Sequence, residues 1–135
     1  MSNITKAVRH WVINLKIKIM KEFVMIFRSE PRLEGQVSPQ VMQEMMQAWQ
    51  NWMGGMAAQG KLASNGNRLG TDGRSVKPGN VVTNGPYVEI KEMVGGFIIV
   101  RAESFDEAAE MAKGCPLIVA SAGTVEIRDI VPMEN

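Results

Sequence analysis

From Leu15 the chain alternates apolar and basic residues and then becomes a nearly unbroken apolar run to Phe27, "LKIKIMKEFVMIFR". Alternation sends successive side chains to opposite faces of a strand, and a continuous apolar run marks a strand covered on both faces. The stretch is expected to enter the core as a strand exposed on one face at its start. A polar loop containing Gly and Pro, "SEPRLEGQV", follows it. Ser38-Pro39 then has the chemistry of a helix start, with a hydroxyl to cap free amides and a proline suited to the first turn. Met42, Met45, Met46, Trp49, Trp52, Met53 and Met56 recur at spacings of three and four, which predicts an amphipathic helix to about Gln59, stopped by Gly60. The methionine stripe reads as core filler rather than as a copper or ligand box. Gly54-Gly55 inside this helix weakens it, and a close packing contact is the expected reason.

"KLASNGNRL" and "RSVKPGNVVT" read as short strands around turns, marked by Asn65-Gly66 and Pro78-Gly79. "GNRLGTDGR" is Gly-rich but lacks the Gly-Lys-Ser/Thr ending of a phosphate cradle, so it reads as a plain loop. "GGFIIVRA" is a buried strand. Ser104 and Glu107 form a capping box opening a helix through Lys113, closed by Gly114 and Pro116. "TVEIRDIV" alternates as a last strand, with Val125, Ile127 and Asp129 on one face against Glu126, Arg128 and Ile130.

The order is strand, long helix, strand, hairpin insertion, strand, short helix, strand. Two successive strand–helix–strand units predict an α+β, ferredoxin-like βαββαβ sandwich. Two helices cover only one face of such a sheet. The other face, carrying Phe and Ile of the central strands, needs an apolar cover, and a second copy of the chain is the simplest one. A homodimer with two sheets facing each other is the expected assembly.

Composition changes this picture little. A length of 135 residues, 45% hydrophobic and 21% charged, suits one globular domain that needs no staples. Charge is uneven beneath a net +1: residues 1–21 carry Lys6, Arg9, Lys16, Lys18 and Lys21 without an acid, leaving ten basic and fourteen acidic residues elsewhere. The division expected is a basic N-terminal extension, 1–19, and a domain, 20–135. Arg9, His10, Asn14, Lys16 and Lys18 interrupt the apolar residues of the extension, so neither a signal peptide nor a transmembrane segment is expected. It reads as an added element packed on the domain or a partner, with a surface-lying amphipathic helix over 5–15 as the alternative. It lacks the interleaved aromatics of a single-strand binder, so no nucleic-acid partner is expected. The single cysteine, Cys115, rules out an internal disulfide and fits a reducing, cytoplasmic setting. With one His, one Cys and no carboxylates clustered at ligand spacing, no metal and no cofactor are implied.

The motifs "MKEFVMIFR", "WQNWMGGMAAQGKL", "VVTNGPYVEIKEMVGGFIIVRAESFDEAAEMAKGCP" and "VEIRDIVPM" carry a resemblance. In this order, over about residues 20–133, the chain resembles the YCII-related family, in particular its DGPF (DGPFAETKE) branch. The resemblance implies a ferredoxin-like subunit pairing into a dimeric α+β barrel. The signature differs in detail: Asn84 and Tyr87 stand in place of the branch's Asp and Phe, and "ETKE" is here Glu89-Ile90-Lys91-Glu92. A His–Asp pair proposed for some relatives has no counterpart, because the lone histidine, His10, lies outside the matched region.

The segment from Asn84 to Glu92 is the leading candidate site. Asn84-Gly85-Pro86 sets a sharp turn. Were the chain extended beyond it, Tyr87, Glu89 and Lys91 would project to one side and Val88 and Ile90 to the other. A phenol, a carboxylate and an ammonium at a barrel mouth suit proton transfer or the orientation of a polar ligand. Arg28, at the end of the first strand, is a candidate anion contact or a partner for Glu89 or Glu92. The ligand-binding set is therefore Arg28, Asn84, Tyr87, Glu89, Lys91 and Glu92, and the catalytic candidates are Glu89, Lys91 and Tyr87. Three readings stand side by side: a dimeric domain binding a small organic molecule in the barrel cleft, a cofactor-free acid–base enzyme, and a regulatory interaction module. The competing reading of the segment is a surface loop whose charges pair with one another. Cys115, after a predicted helix end, reads as a packed thiol.

Overall fold

The computed structural model describes residues 20–30, 37–85 and 92–133. Among them the elements run β1 (Lys21–Ser29), α1 (Pro39–Ala58), β2 (Leu62–Arg68), β3 (Arg74–Lys77), β4 (Val81–Asn84), β5 (Met93–Ala102), α2 (Phe105–Ala112), α3 (Pro116–Val119) and β6 (Gly123–Asp129). Residues 1–19, and with them the extension and His10, lie outside the described residues. Four strands form an antiparallel sheet in the order β2-β5-β1-β6, and β3 and β4 form a separate ribbon. This is the ferredoxin-like α+β topology: β5 is inserted between β1 and β2, and the β3–β4 ribbon interrupts the path from β2 to β5.

Alternation along the two central strands divides the sheet into unlike faces. Phe23, Met25 and Phe27 of β1 are buried beside Ile98, Val100 and Ala102 of β5. Val125 and Ile127 of β6 stand opposite Phe27 and Met25 and extend the same apolar layer. Met25 and Val100 have no solvent exposure, and burying a side chain of that size is worth about 1.5–3 kcal/mol.

Helix α1 covers this layer with the second half of its stripe. Trp49, Trp52, Met53 and Met56 pack on it, and Phe27 meets Trp49 and Trp52 edge-on at centroid distances of 4.9 and 6.0 Å. In the first half Met42 is 40% and Met46 57% exposed, while Met45 is half-buried. The inward apolar row of β1 stops at Phe27. The stripe fills the described core mainly in its second half.

Both ends of α1 follow the expected chemistry. Ser38 Oγ accepts from the Val41 amide at 3.2 Å, and Pro39 occupies the first turn. At the other end the amides of Gly60 and Lys61 donate to Ala57 and Met56 carbonyls, a Schellman closure that needs the left-handed backbone of Gly60 (φ 71°). The expectation of a close contact at Gly54-Gly55 is corrected. Neither position has another atom within 4 Å of an added Cβ, and both face solvent.

Asn65-Gly66 is also corrected: it is a bulge within β2, not a turn between two strands. Ser64 lies opposite Ile99 and Asn67 opposite Phe97, so three steps along β2 match two along β5. Gly66 takes φ +60°, and a Cβ there would stand 1.6 Å from the Phe97 carbonyl oxygen. A turn here would leave β5 without its partner, and pairing with β5 prevails. Pro78-Gly79 is a turn as expected, with Gly79 and Asn80 both at positive φ and Lys77 opposite Val81.

Helix α2 begins at the expected cap, where Ser104 Oγ accepts from the Glu107 amide at 3.2 Å. The Glu107 carboxylate pairs with Lys61 Nζ at 3.0 Å, which ties the start of α2 to the end of α1. Trp52 Nε1 donates to the Met111 carbonyl at 3.0 Å and joins the two helices again. Both helices thus lie on one side of the sheet. Pro116 does not end the helical region; it opens the single turn α3 after a break at Cys115.

Candidate functional site

The helix-free face of the sheet is set by the residues that alternate with the core. On β1 these are Glu22, Val24, Ile26 and Arg28, and on β5 they are Phe97, Ile99 and Arg101. Register places Val24 opposite Ile99 and Ile26 opposite Phe97, a four-residue apolar patch across the two central strands. All four are half-buried, and no helix among the described residues covers them. Charged groups frame the patch. Glu22 faces Arg101 at one end, Arg128 stands beside Val24, and Glu126 stands beside Ile26.

Arg28 closes the other end. Its Nε and Nη2 both reach the same oxygen, Oε1, of Glu126, each at 3.3 Å. The two side chains are 25% and 40% exposed, so the pair lies at the surface of this face. Glu126 is the functional candidate that sequence reasoning missed. The signal was present in the alternation of "TVEIRDIV", which puts Glu126 opposite Val125, but its meeting with Arg28 depends on the β1–β6 register.

The signature segment enters the sheet at this same end. β5 starts with Met93 opposite Ser29 and Val94 opposite Arg28, so Glu92 immediately precedes the strand beside the Arg28 end of β1. One extra residue, Gly95, lies in β5 between the partners of Phe27 and Arg28. The next residue, Gly96, passes so near β2 that a Cβ would stand 2.8 Å from the Asn67 carbonyl oxygen. The glycine pair thus serves a bulge and a close strand approach.

Upstream, Asn84 is exposed and stands opposite Arg74 in the ribbon. Gly85 takes φ +87°, its amide donates to the Gly73 carbonyl at 2.8 Å, and its carbonyl accepts from Ser75 Oγ at 3.1 Å. These bonds hold the start of the signature turn to β3. Tyr87, Glu89 and Lys91 lie outside the described residues. Glu92 is described and exposed. Arg28, Asn84 and Glu92 are therefore the members of the candidate set whose positions are seen, and the observed partner of Arg28 is Glu126.

Cys115 is fully buried on the helix side, away from this face. Desolvation by burial pushes its thiol pKa up, against smaller opposing effects of the Leu117 and Ile118 amides. It is a packed thiol, as expected from the sequence, and burial is the main cause of its raised pKa. Among the described residues no group of three or more His, Cys, Asp or Glu is placed to hold a metal, and no helix is long and apolar enough to cross a membrane.

Comparison with curated proteins returned no match. Among solved structures, the chain is similar to 5-chloro-2-hydroxyhydroquinone dehydrochlorinase from Burkholderia phenoliruptrix AC1100 in complex with 2,5-dihydroxybenzoquinone. The two are 21% identical, over 78% of this chain and 90% of that one, with a TM-score of 0.41. The model of the YCII-related domain matches residues 22–134. With that match spanning nearly the whole sheet-and-helix unit, the chain belongs to the YCII-related family.

Proposed function

We propose that two copies of the chain face each other through their helix-free sheets and enclose a cleft that binds a small organic molecule, in the cytoplasm. One observation carries the reading: the cross-strand quartet Val24, Ile99, Ile26 and Phe97 is apolar, sits at the centre of the sheet and has no cover within the described chain. A self-complementary patch of this kind is what a two-fold interface uses. Stable interfaces bury about 800 Å² per partner, so the facing sheets would have to meet over most of this face. The polar frame of Arg28, Glu126, Arg101 and Arg128 gives the cleft groups that orient a ligand. Glu92 precedes β5 at the Arg28 end, and on this reading the signature segment, with Asn84, Tyr87, Glu89 and Lys91, would supply further polar groups to the cleft.

Native mass spectrometry of protein purified from its own host tests both halves at once. The expected spectrum shows a mass of two chains plus a retained small molecule. Ile99→Glu puts an unpaired charge at the patch centre and should convert the dimer to a folded monomer, with circular dichroism unchanged. A wild-type monomer at micromolar concentration, or a dimer indifferent to Ile99→Glu, refutes the facing-sheet assembly.

A further inference from the structure

We infer that the ligand of this cleft is an organic anion, a carboxylate carried on an apolar ring or chain, and that Arg28 receives it by giving up Glu126. The inference rests on the cleft reading above and names the chemistry of its occupant.

The Arg28–Glu126 contact is incomplete as an ion pair. A guanidinium presents parallel N–H groups that match the two oxygens of one carboxylate, at about 2.7–2.9 Å each. Here both Nε and Nη2 converge on the single oxygen Oε1 at 3.3 Å. Diagonal placement explains the misfit. Ile26, not Arg28, is the register partner of Glu126, so the carboxylate reaches Arg28 from one side. Two donors of the Arg28 fork share one oxygen at long range, and a free carboxylate approaching head-on would give each donor an oxygen of its own.

Release of Glu126 costs little desolvation, because its side chain is already 40% exposed and returns to water. Among the described residues of β1, β5 and β6 this face carries Arg28, Arg101 and Arg128 beside Glu22 and Glu126. The apolar quartet lies next to Arg28, since Ile26 precedes it by two residues on the same face and Phe97 stands opposite Ile26. A ligand with its carboxylate on Arg28 therefore lays an apolar body over Ile26 and Phe97. A neutral ligand of the same shape gains only the apolar contact and leaves the ion pair as it is.

Titration calorimetry with benzoate and with its neutral analogue benzyl alcohol tests this on the intact chain, after native mass spectrometry has recorded its oligomeric state. Benzoate is expected to bind at least about tenfold more tightly than benzyl alcohol, as a charged hydrogen-bonded pair adds to the apolar contact. Arg28→Gln should bring benzoate down to the level of benzyl alcohol, and Arg28→Lys should fall between, keeping the charge without the fork. Glu126→Gln separates exchange from support. With the competing carboxylate gone, benzoate should bind several-fold more tightly while benzyl alcohol is unchanged. Weaker benzoate binding in Glu126→Gln overturns the exchange and makes Glu126 a support for Arg28. Equal binding of the two probes to the wild-type dimer overturns the anion assignment and leaves the cleft standing. A dimer that binds neither probe overturns the assignment, and a monomer overturns the facing-sheet reading itself.

Discussion

Alanine in place of Gly66 is the sharpest test of how β2 is joined to the sheet. Two costs add. The residue has φ +60°, where a side chain costs about 1–2 kcal/mol relative to glycine. The new Cβ would also stand 1.6 Å from the Phe97 carbonyl oxygen and 2.6 Å from its carbon, both backbone atoms that no rotamer change can move. Relief requires β2 to shift off β5 around Ser64–Asn67, an overpacking strain of about 1–3 kcal/mol. The expected loss is then about 2–5 kcal/mol, a large part of the roughly 5–15 kcal/mol that holds an ordinary domain together. Gly54→Ala and Gly55→Ala are the controls, because nothing lies within 4 Å of either Cβ. In an exposed helix the same substitution should stabilise by about 0.5–1 kcal/mol each. Urea unfolding followed by tryptophan fluorescence, at one fixed protein concentration, reads all three. With a slope of about 1–3 kcal/mol per molar, the Gly66 variant should unfold at least about 0.7 M earlier. A Gly66→Ala protein within about 1 kcal/mol of wild type would show that β2 does not need this bulge.

Two further outcomes follow from the core. Met25→Ala removes a side chain with no solvent exposure from the centre of β1 and should cost about 2–5 kcal/mol in the same urea assay; a loss below 1 kcal/mol would mean that the site collapses around the gap. Burial raises the Cys115 thiol pKa, so the folded chain holds that proton more tightly than the unfolded one. The stability this contributes is whole below the ordinary thiol pKa of about 8.5 and is lost as pH rises through the higher folded value. Wild type should therefore lose more stability than Cys115→Ala between about pH 8 and 10, and parallel profiles would refute the assignment.

Much of the fold was legible because it is written in local periods and caps. The apolar run of β1 up to Phe27, the spacing of Trp49, Trp52 and Met56, and the caps at Ser38, Gly60 and Ser104 all involve residues within a few positions of one another, while the alternation from Leu15 to Lys18 lies outside the described residues. The features that were misread depend on distant partners. Asn65-Gly66 has the composition of a turn, and only the presence of β5 alongside makes it a bulge. Gly54-Gly55 suggested a neighbour that the packing does not supply. The candidate site divides in the same way. Arg28 was recognisable at the end of an apolar strand, whereas its pairing with Glu126, 98 residues away, is a product of strand register.

The path between β2 and β5 has a consequence for how the molecule breathes. The Leu69 amide donates to the Gly95 carbonyl, so the chain leaves the sheet and returns to it at neighbouring points. The β3–β4 ribbon lies between these points and, among the described residues, belongs to a sheet of its own. A two-stranded ribbon is only marginally stable alone, so its amides should exchange with solvent by local opening while those of β1 and β5 wait for global unfolding. Changes in length or sequence between Gly70 and Gly85 should therefore cost the core little, whereas changes at Leu69 or Gly95, where the chain leaves and rejoins the sheet, should cost more.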